Sequence, residues 1–80
     1  MTSSNLVTLD KAPVGKPLTV LRIHNQETAS LALRLGVSEG ERLVLACKIP
    51  GGPVVVRRGC VEIALGRELC RDIEIEPLAS

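Results

Sequence analysis

The chain has 80 residues and contains no Phe, Tyr or Trp, and this absence limits what it can fold into. A chain of this length buries only about 60–65% of the surface that its unfolded form exposes, so its core is marginal. That core has to be built from Leu, Val, Ile and Ala. Hydrophobic residues make up 45% of the chain and charged residues 24%, which is typical of a globular domain and argues against disorder.

The missing aromatic residues also exclude classes of function. Single-stranded nucleic acids are usually held on aromatic stacking platforms, and many interfaces are anchored by Tyr or Trp. The net charge is only +1, from ten basic and nine acidic residues, whereas nucleic-acid binders carry a clear basic excess. We therefore expect no nucleic-acid partner, and a small RNA-binding barrel is disfavoured.

The hydrophobic pattern predicts a mainly β fold of about five short strands. Short strands at 8–12-residue spacing with tight turns indicate a small closed barrel, and closure would hide aliphatic edges. The clearest turn is PGGP at residues 50–53. The first strand alternates imperfectly, which a bulge or burial on both faces would explain. The predicted strands cover residues 17–24, 42–48, 54–57, 60–65 and 73–76.

One short helix is predicted over residues 27–35. Asn25 is a good N-cap, and Gly36 stands where a left-handed residue ends a helix. A single helical turn is expected at residues 66–71. The apolar stripe that should face the core consists of Leu31, Ala32 and Leu35.

These elements predict one domain over residues 6–76, between a frayed start at 1–5 and a tail at 77–80. The N-terminal segment lacks the basic start and apolar run of a secretory signal, and no stretch approaches the roughly 18 apolar residues that span a bilayer. Three widely spaced cysteines make a poor disulfide framework and fit a reducing compartment. We expect a cytoplasmic protein that does not insert into membranes.

Catalytic residues are scarce in this sequence. His24 stands at a predicted strand end with no nucleophile at a recognisable spacing, so a satisfied or exposed histidine is favoured. Glu74 and Glu76 share a strand face as paired carboxylates would, but alternating solvent-facing acids explain them as well and are favoured. We predict no enzyme, no catalytic residue and no cofactor.

A metal site is also disfavoured. Structural zinc sites use four ligands in closely spaced pairs, and the three cysteines form no such pair. Cys47 is predicted to be a small core residue on the face of its strand neighbours, and Cys60 is predicted to face outward. Cys70 occupies a position in the helical turn where alanine would serve as well.

The remaining surface feature is a basic patch with an apolar neighbour. Seven of the ten basic residues are arginine, the type preferred in protein interfaces. Three basic residues flank the turn at residues 50–53. A fourth lies on the predicted helix, beside a leucine that falls outside the apolar stripe. A solvated rim and a partner interface both remain open for this patch. The candidate interface residues are Leu33, Arg34, Lys48, Arg57 and Arg58.

The order of these segments resembles a known family. The run LRLGV at residues 33–37 is followed by SEG at 38–40, then by the turn at 50–53 and by IALG at 63–66. Together, in this order and at these spacings, they resemble the ferrous iron transport protein A (FeoA) family over about residues 6–76. The family pattern more often has alanine where this chain has Cys70, which opens a thiol contact there.

The resemblance implies an SH3-like barrel and an accessory role in bacterial Fe(II) uptake. Such proteins are thought to act on the cytoplasmic, GTP-hydrolysing part of the membrane iron permease. No settled catalytic residues can be carried over. The expected partner is therefore the cytosolic domain of a ferrous iron permease, and a weak homo-oligomer remains open.

A second hypothesis follows from the same barrel, which resembles the carboxy-terminal domain of metal-dependent transcriptional repressors. The chain would then be a detached regulatory or metal-sensing module. It lacks the helix-turn-helix of those repressors, so it would not read DNA alone.

Overall fold

The computed structural model describes residues 7–78, which form six strands, two helices and one 3₁₀ turn. The predictions for residues 1–6 and for 79–80 lie outside this range. The 3₁₀ turn is Leu9–Lys11, and the helices are α1 (Gln26–Leu35) and α2 (Arg67–Cys70). The strands are β1 (Val7–Thr8), β2 (Pro17–Ile23), β3 (Arg42–Lys48), β4 (Val54–Arg58), β5 (Val61–Leu65) and β6 (Ile73–Pro77).

All six strands belong to one antiparallel sheet in the order β1-β6-β2-β3-β4-β5. The expectation of a mainly β, SH3-like domain is confirmed, with one strand more than predicted. The expected closed barrel is wrong in one respect, because within residues 7–78 β1 and β5 end the sheet and do not pair.

The interior is sealed without closing the sheet. The 3₁₀ turn follows β1 and α2 follows β5, and these two helical turns contact each other. Leu9, Ala12 and Cys70 are fully buried as a result. The core is aliphatic, as the composition requires, and its largest members are Leu9, Leu18, Leu43, Leu45, Leu65, Ile73 and Ile75.

The predicted irregularity of β2 is a bulge. The pairing of β2 with β6 shifts register between Val20 and Arg22. Val20 is buried, whereas Leu21 is largely exposed. Ile23 packs against the core, as Val20 does, so the bulge explains how two residues three positions apart share the inner face.

A second bulge, in β3, overturns the prediction for Cys47. Leu45 pairs with Val56, but Cys47 pairs with Val55, so Ala46 is the extra residue. A bulge changes the face on which the following side chains point. Leu45 is fully buried and Cys47 is exposed, although simple alternation puts them on one face.

Helix α1 begins one residue earlier than predicted, at Gln26, and ends at Leu35 as predicted. The Asn25 side chain accepts hydrogen bonds from the backbone N–H of Glu27 (2.8 Å) and of Thr28 (3.4 Å). Gly36 ends the helix with φ +89°. The capping side chain and the left-handed glycine provide hydrogen-bond partners for free backbone groups at the two helix ends.

The predicted inward stripe of α1 is wrong in two of its three members. Ala32 is buried, but Leu31 is 47% exposed and Leu35 is 43% exposed. Thr28 is buried instead, and its Oγ1 donates to Asp72 Oδ2 at 2.9 Å. This tether to the loop before β6 sets the rotation of the helix, and it leaves its leucines on the flanks.

The chain continues β6 through Pro77 rather than stopping before it. The backbone N–H of Leu78 donates to the carbonyl of Pro17 at 3.0 Å. Part of the predicted tail therefore belongs to the sheet.

Candidate functional site

His24 is a satisfied, half-exposed residue, as predicted. Its Nε2 lies 3.0 Å from Glu74 Oε1, and its backbone N–H donates to the carbonyl of Asp72 at 2.9 Å. The prediction that Glu74 faces solvent is wrong, because Glu74 is buried. β6 is flanked by β1 and β2, so Glu74 lies between Thr8 and Arg22 in the sheet. The contact between His24 and Glu74 joins the segment just before α1 to β6.

The three cysteines occupy different environments. Cys47 and Cys60 are exposed, the latter as predicted, and Cys70 is buried. The pKa of the Cys70 thiol is raised to about 12, chiefly by burial and next by the nearby Asp10, while Arg67 acts in the opposite direction and lowers it. Cys70 is therefore an inert core thiol at neutral pH. Within residues 7–78, no group of three or more His, Cys, Asp or Glu side chains is arranged to hold a metal ion.

The turn at residues 50–53 is closed by an arginine that the sequence did not indicate. The backbone N–H of Ile49 donates to the Pro53 carbonyl (3.0 Å), and that of Gly52 donates to the Ile49 carbonyl (2.8 Å). Arg67 then donates from Nε to the Gly52 carbonyl and from Nη2 to the Ile49 carbonyl, both at 3.0 Å. We call this end of the β3–β4 hairpin the turn end.

The five candidate interface residues do not form one patch. Lys48 is half-buried and pairs with Val54, beside the turn end. Arg57 pairs with Val44 and lies three residues after Val54 in β4. At the rise of a β-strand, this places Arg57 about 10 Å from the position that pairs with Lys48. Of these three basic residues, Lys48 lies beside the turn, whereas the pairing register places the two β4 arginines further along the strand.

Arg58 instead lies beside the end of α1. A Cβ atom built on Gly36 would be 3.0 Å from Nη2 and 3.2 Å from Cζ of Arg58. A cation at this place is favourable, since the carboxyl end of a helix carries a partial negative charge. Arg58 also pairs with Val61 of β5, which is 51% exposed.

The last turn of α1 completes this surface. Leu33 is 66% exposed, and Arg34 is exposed beside it. We call the four side chains Leu33, Arg34, Arg58 and Val61 the helix–hairpin rim. Arg57 points to the other face of β4, where it pairs with Glu62. The sequence indicated all these residues except Val61, whose role depends on the strand register.

The arginines of this region keep their donors free. Within residues 7–78, no hydrogen bond or ion pair engages the side chains of Arg34, Arg57 or Arg58. A guanidinium carries five N–H donors that match carboxylates in a fixed geometry. The rim therefore offers an apolar contact and charged donors side by side, which is the composition of a protein-binding surface.

The fold and this surface define a small SH3-like β domain with an exposed contact region. The FeoA domain model matches residues 7–77, nearly the whole chain. The chain belongs to the FeoA family. Membership of this family assigns it a role in ferrous iron transport, in a family of accessory transport domains rather than of enzymes.

Solved structures support the fold. An iron uptake regulatory protein (FeoA) is similar with a TM-score of 0.79 at 23% identity, over 91% of this chain and 97% of that one. A FeoA-like protein from Clostridium acetobutylicum gives 0.81 at 19% identity, over 98% and 93%. A manganese-dependent transcriptional repressor gives 0.81 at 20% identity, over 96% of this chain but only 44% of the repressor. A search of curated proteins returns no match.

None of the helices in residues 7–78 is long and apolar enough to cross a membrane.

Proposed function

We propose that this protein is a cytoplasmic adapter that binds the cytosolic, GTP-hydrolysing domain of a ferrous iron permease. Family membership supports the iron-transport context. The observation that carries the docking proposal is the helix–hairpin rim, where Leu33 is 66% exposed beside Arg34, and Arg58 lies next to the residue that ends the helix. Within residues 7–78, no hydrogen bond or ion pair engages either arginine side chain. The protein contributes no catalytic group of its own in this proposal.

The chemistry of the rim specifies its partner surface. Leu33 and Val61 would enter an apolar depression, while Arg34 and Arg58 would meet carboxylates around it. Complementary charges of this kind mainly raise the association rate, so binding should weaken as salt increases. To alter transport, the protein must bind one state of the permease more tightly than another, because only differential affinity shifts an equilibrium.

The direct test is binding to the purified GTP-hydrolysing domain, with GTP turnover of that domain as a second readout. Leu33→Asp and Arg58→Glu should each weaken binding by about ten-fold or more, since the few residues that dominate an interface cost about 2 kcal/mol or more when altered. Arg57→Glu, on the other face of β4, should have a smaller effect. Each variant should retain the circular dichroism of the unaltered protein, because these side chains are exposed.

Lys48→Glu is the matched control. It changes the charge by the same amount as Arg58→Glu but lies beside the turn end. If Lys48→Glu weakens binding as much as Arg58→Glu, charge alone governs the association. If Leu33→Asp and Arg58→Glu both bind as tightly as the unaltered chain, the rim is not the docking surface.

A second candidate function is a metal-sensing or regulatory module. Its support is the similarity to the manganese-dependent repressor, of which this chain spans less than half. Calorimetry with Fe(II), Mn(II) and Zn(II) under reducing conditions separates the two functions. Stoichiometric binding tighter than about 1 μM would favour sensing, whereas absence of binding together with rim-dependent docking would favour the adapter.

A further inference from the structure

The outer edge of β5 is a regular strand without the usual protection. Within residues 7–78, β5 pairs with β4 alone and ends the sheet. Its register with β4 runs from Val61 to Leu65 without a bulge. Natural sheets protect such edges with proline, lysine, bulges, very short strands or a covering helix or loop. β5 has five residues and contains only one charge, on Glu62. Helix α2 contacts its last residue, where Cys70 Sγ lies 4.0 Å from the Leu65 carbonyl oxygen.

We propose that β5 pairs with β5 of a second copy of this chain, antiparallel and centred on Ile63, to form a weak two-fold dimer. An edge strand presents unpaired N–H and C=O groups that another strand can complete. A two-fold axis repeats one patch on both subunits, so residue i meets j and j meets i. Centring on Ile63 therefore joins the two sheets through all five residues of each β5.

The side chains of β5 suit this register. In it Glu62 of one copy lies opposite Ala64 of the other, and both residues are exposed on the outer face. Val61, half-exposed in the single chain, lies opposite Leu65. Centring on Glu62 would instead put two carboxylates directly opposite each other, which is unfavourable. Centring on Ala64 would place Glu62 opposite Gly66, outside the strand.

Charge favours a second copy as the occupant of this edge. The net charge of +1 leaves little long-range repulsion between two molecules. Beyond the strand ends, the same register brings the start of α2, with its exposed Glu68, beside the β4–β5 turn of the other copy. That turn follows Arg57 and Arg58, whose side chains make no hydrogen bond or ion pair with the part of the single chain that the structure describes.

The dimer should be weak, because pairing one strand buries far less than the roughly 1,200 Å² of a stable interface. We expect a dissociation constant on the order of 0.1–1 mM. Sedimentation equilibrium with interference optics measures it, since a chain without Tyr or Trp absorbs too little at 280 nm.

Substitution of Ala64 tests the register directly. Ala64→Lys places a lysine opposite Glu62 at two symmetric positions, and it should tighten the dimer about five-fold. Ala64→Glu places like charges at the same two positions and should weaken it about five-fold. Net charge alone predicts the reverse order, because Ala64→Lys makes the molecule more positive and Ala64→Glu brings it to neutrality.

The background variant Glu62→Gln provides the control, because in it Ala64→Lys should no longer tighten the dimer. The proposal is overturned if the unaltered chain and Ala64→Lys both stay monomeric to about 2 mM. It is also overturned if a dimer forms but follows net charge, or if the effect of Ala64→Lys survives Glu62→Gln, since another surface would then join the copies. Unchanged circular dichroism shows that each variant is folded, which is expected because Ala64 points away from the core.

Discussion

An arginine lies at each end of the β3–β4 hairpin, and the two arginines differ in what their side chains bind. At the turn end, Arg67 donates two hydrogen bonds to backbone carbonyls of the turn. At the helix–hairpin rim, Arg58 lies over the end of α1, and no hydrogen bond engages its donors within the described residues. One arginine stabilises the fold and the other remains available to a partner. A basic residue near a turn therefore indicates a docking surface only when its donors are free.

The apolar side chains differ in the same way. Ile49 at the turn end is exposed, but its carbonyl accepts a hydrogen bond from Arg67. Its side chain also packs near Gly52. The Leu33 carbonyl at the rim accepts only a backbone hydrogen bond within the described residues, from the N–H of Gly36 at 3.0 Å. Exposure alone does not separate the two residues, whereas the side-chain hydrogen bond from Arg67 to Ile49 does.

The largest expected effect comes from the core that both ends share. Leu45 lies in the middle of the hairpin, opposite Val56, and is fully buried. Leu45→Ala should cost about 2–5 kcal/mol through lost burial and a cavity. A domain of this size has a free energy of unfolding near 5 kcal/mol, so the variant should be largely unfolded.

Urea denaturation followed by circular dichroism measures this loss, and hydrogen exchange follows each end separately. Both ends should lose protection together if one core supports them. A variant that melts within a few degrees of the unaltered chain would contradict the inward position of Leu45. Selective loss at one end would instead show that the two ends are independent.

The next effect distinguishes the two arginines. Arg67→Ala should lower the free energy of unfolding by about 1–3 kcal/mol, because two backbone carbonyls lose charged donors. Arg58→Ala should change it by no more than about 0.5 kcal/mol, as is usual for exposed positions. Arg67→Lys is the matched control and should lie between them, since lysine keeps the charge but not the planar fork.

Urea titrations of the three variants provide the comparison. Equal losses for Arg67→Ala and Arg58→Ala would remove the distinction between the two ends. A full loss in Arg67→Lys would show that the fork, rather than the charge, closes the turn.

Local signals explain how much of this fold the sequence could predict. Capping by Asn25 and termination at Gly36 depend on neighbouring residues, and both were predicted correctly. The span of β3 was also predicted, from alternation and the turn after it. These features need no knowledge of distant contacts, because side chain, backbone and turn lie within a few residues.

The errors all depend on contacts between distant segments. The bulge that exposes Cys47 is set by the pairing of β3 with β4, and the burial of Glu74 is set by two flanking strands. The bond from Thr28 to Asp72 rotates α1 away from its expected stripe. The bonds from Arg67 to the turn span 15 and 18 residues. No periodicity within a single segment reports such pairings.

The residues of the helix–hairpin rim, apart from Val61, were proposed from the sequence, but their grouping was not. Residue type and helical position indicated Leu33 and Arg34, and the turn drew attention to the neighbouring basic residues. Which of these lie together depends on the register of β4, which separates Lys48 from Arg58 and adds Val61. The function of this surface stays a prediction until binding is measured.

A third prediction uses Cys70, which lies in α2 three residues after Arg67. Its pKa is raised from 9.0 to about 12, chiefly by burial. The unfolded chain therefore loses this proton first as the pH rises, and the folded state loses stability above pH 9. Between pH 8 and pH 10 the loss should be about 1 kcal/mol, and it should continue towards pH 12.

Urea titrations at several pH values measure the slope. Cys70→Ala should remove this part of it, whereas Cys60→Ala, at an exposed thiol, should leave it unchanged. Arg67 lowers the pKa of Cys70, so Arg67→Ala should extend the alkaline loss to higher pH. An identical slope with and without Cys70 would mean that α2 does not bury this thiol.

The smallest effect compares the glycines of the two ends. Gly36 has φ +89° and Gly51 has φ +69°, so alanine at either position should cost about 1 kcal/mol in backbone strain. Their surroundings differ, because a Cβ at Gly51 would meet nothing, whereas one at Gly36 would lie 3.0 Å from the Arg58 guanidinium. That group is the end of a flexible side chain, so it can move at little further cost in stability. Gly36→Ala and Gly51→Ala should therefore lower the free energy of unfolding almost equally.

Only Gly36→Ala should weaken binding to the permease domain, by a few-fold, because it displaces the guanidinium from the rim. Equal binding by both variants would show that the position of Arg58 over the helix end does not matter for docking.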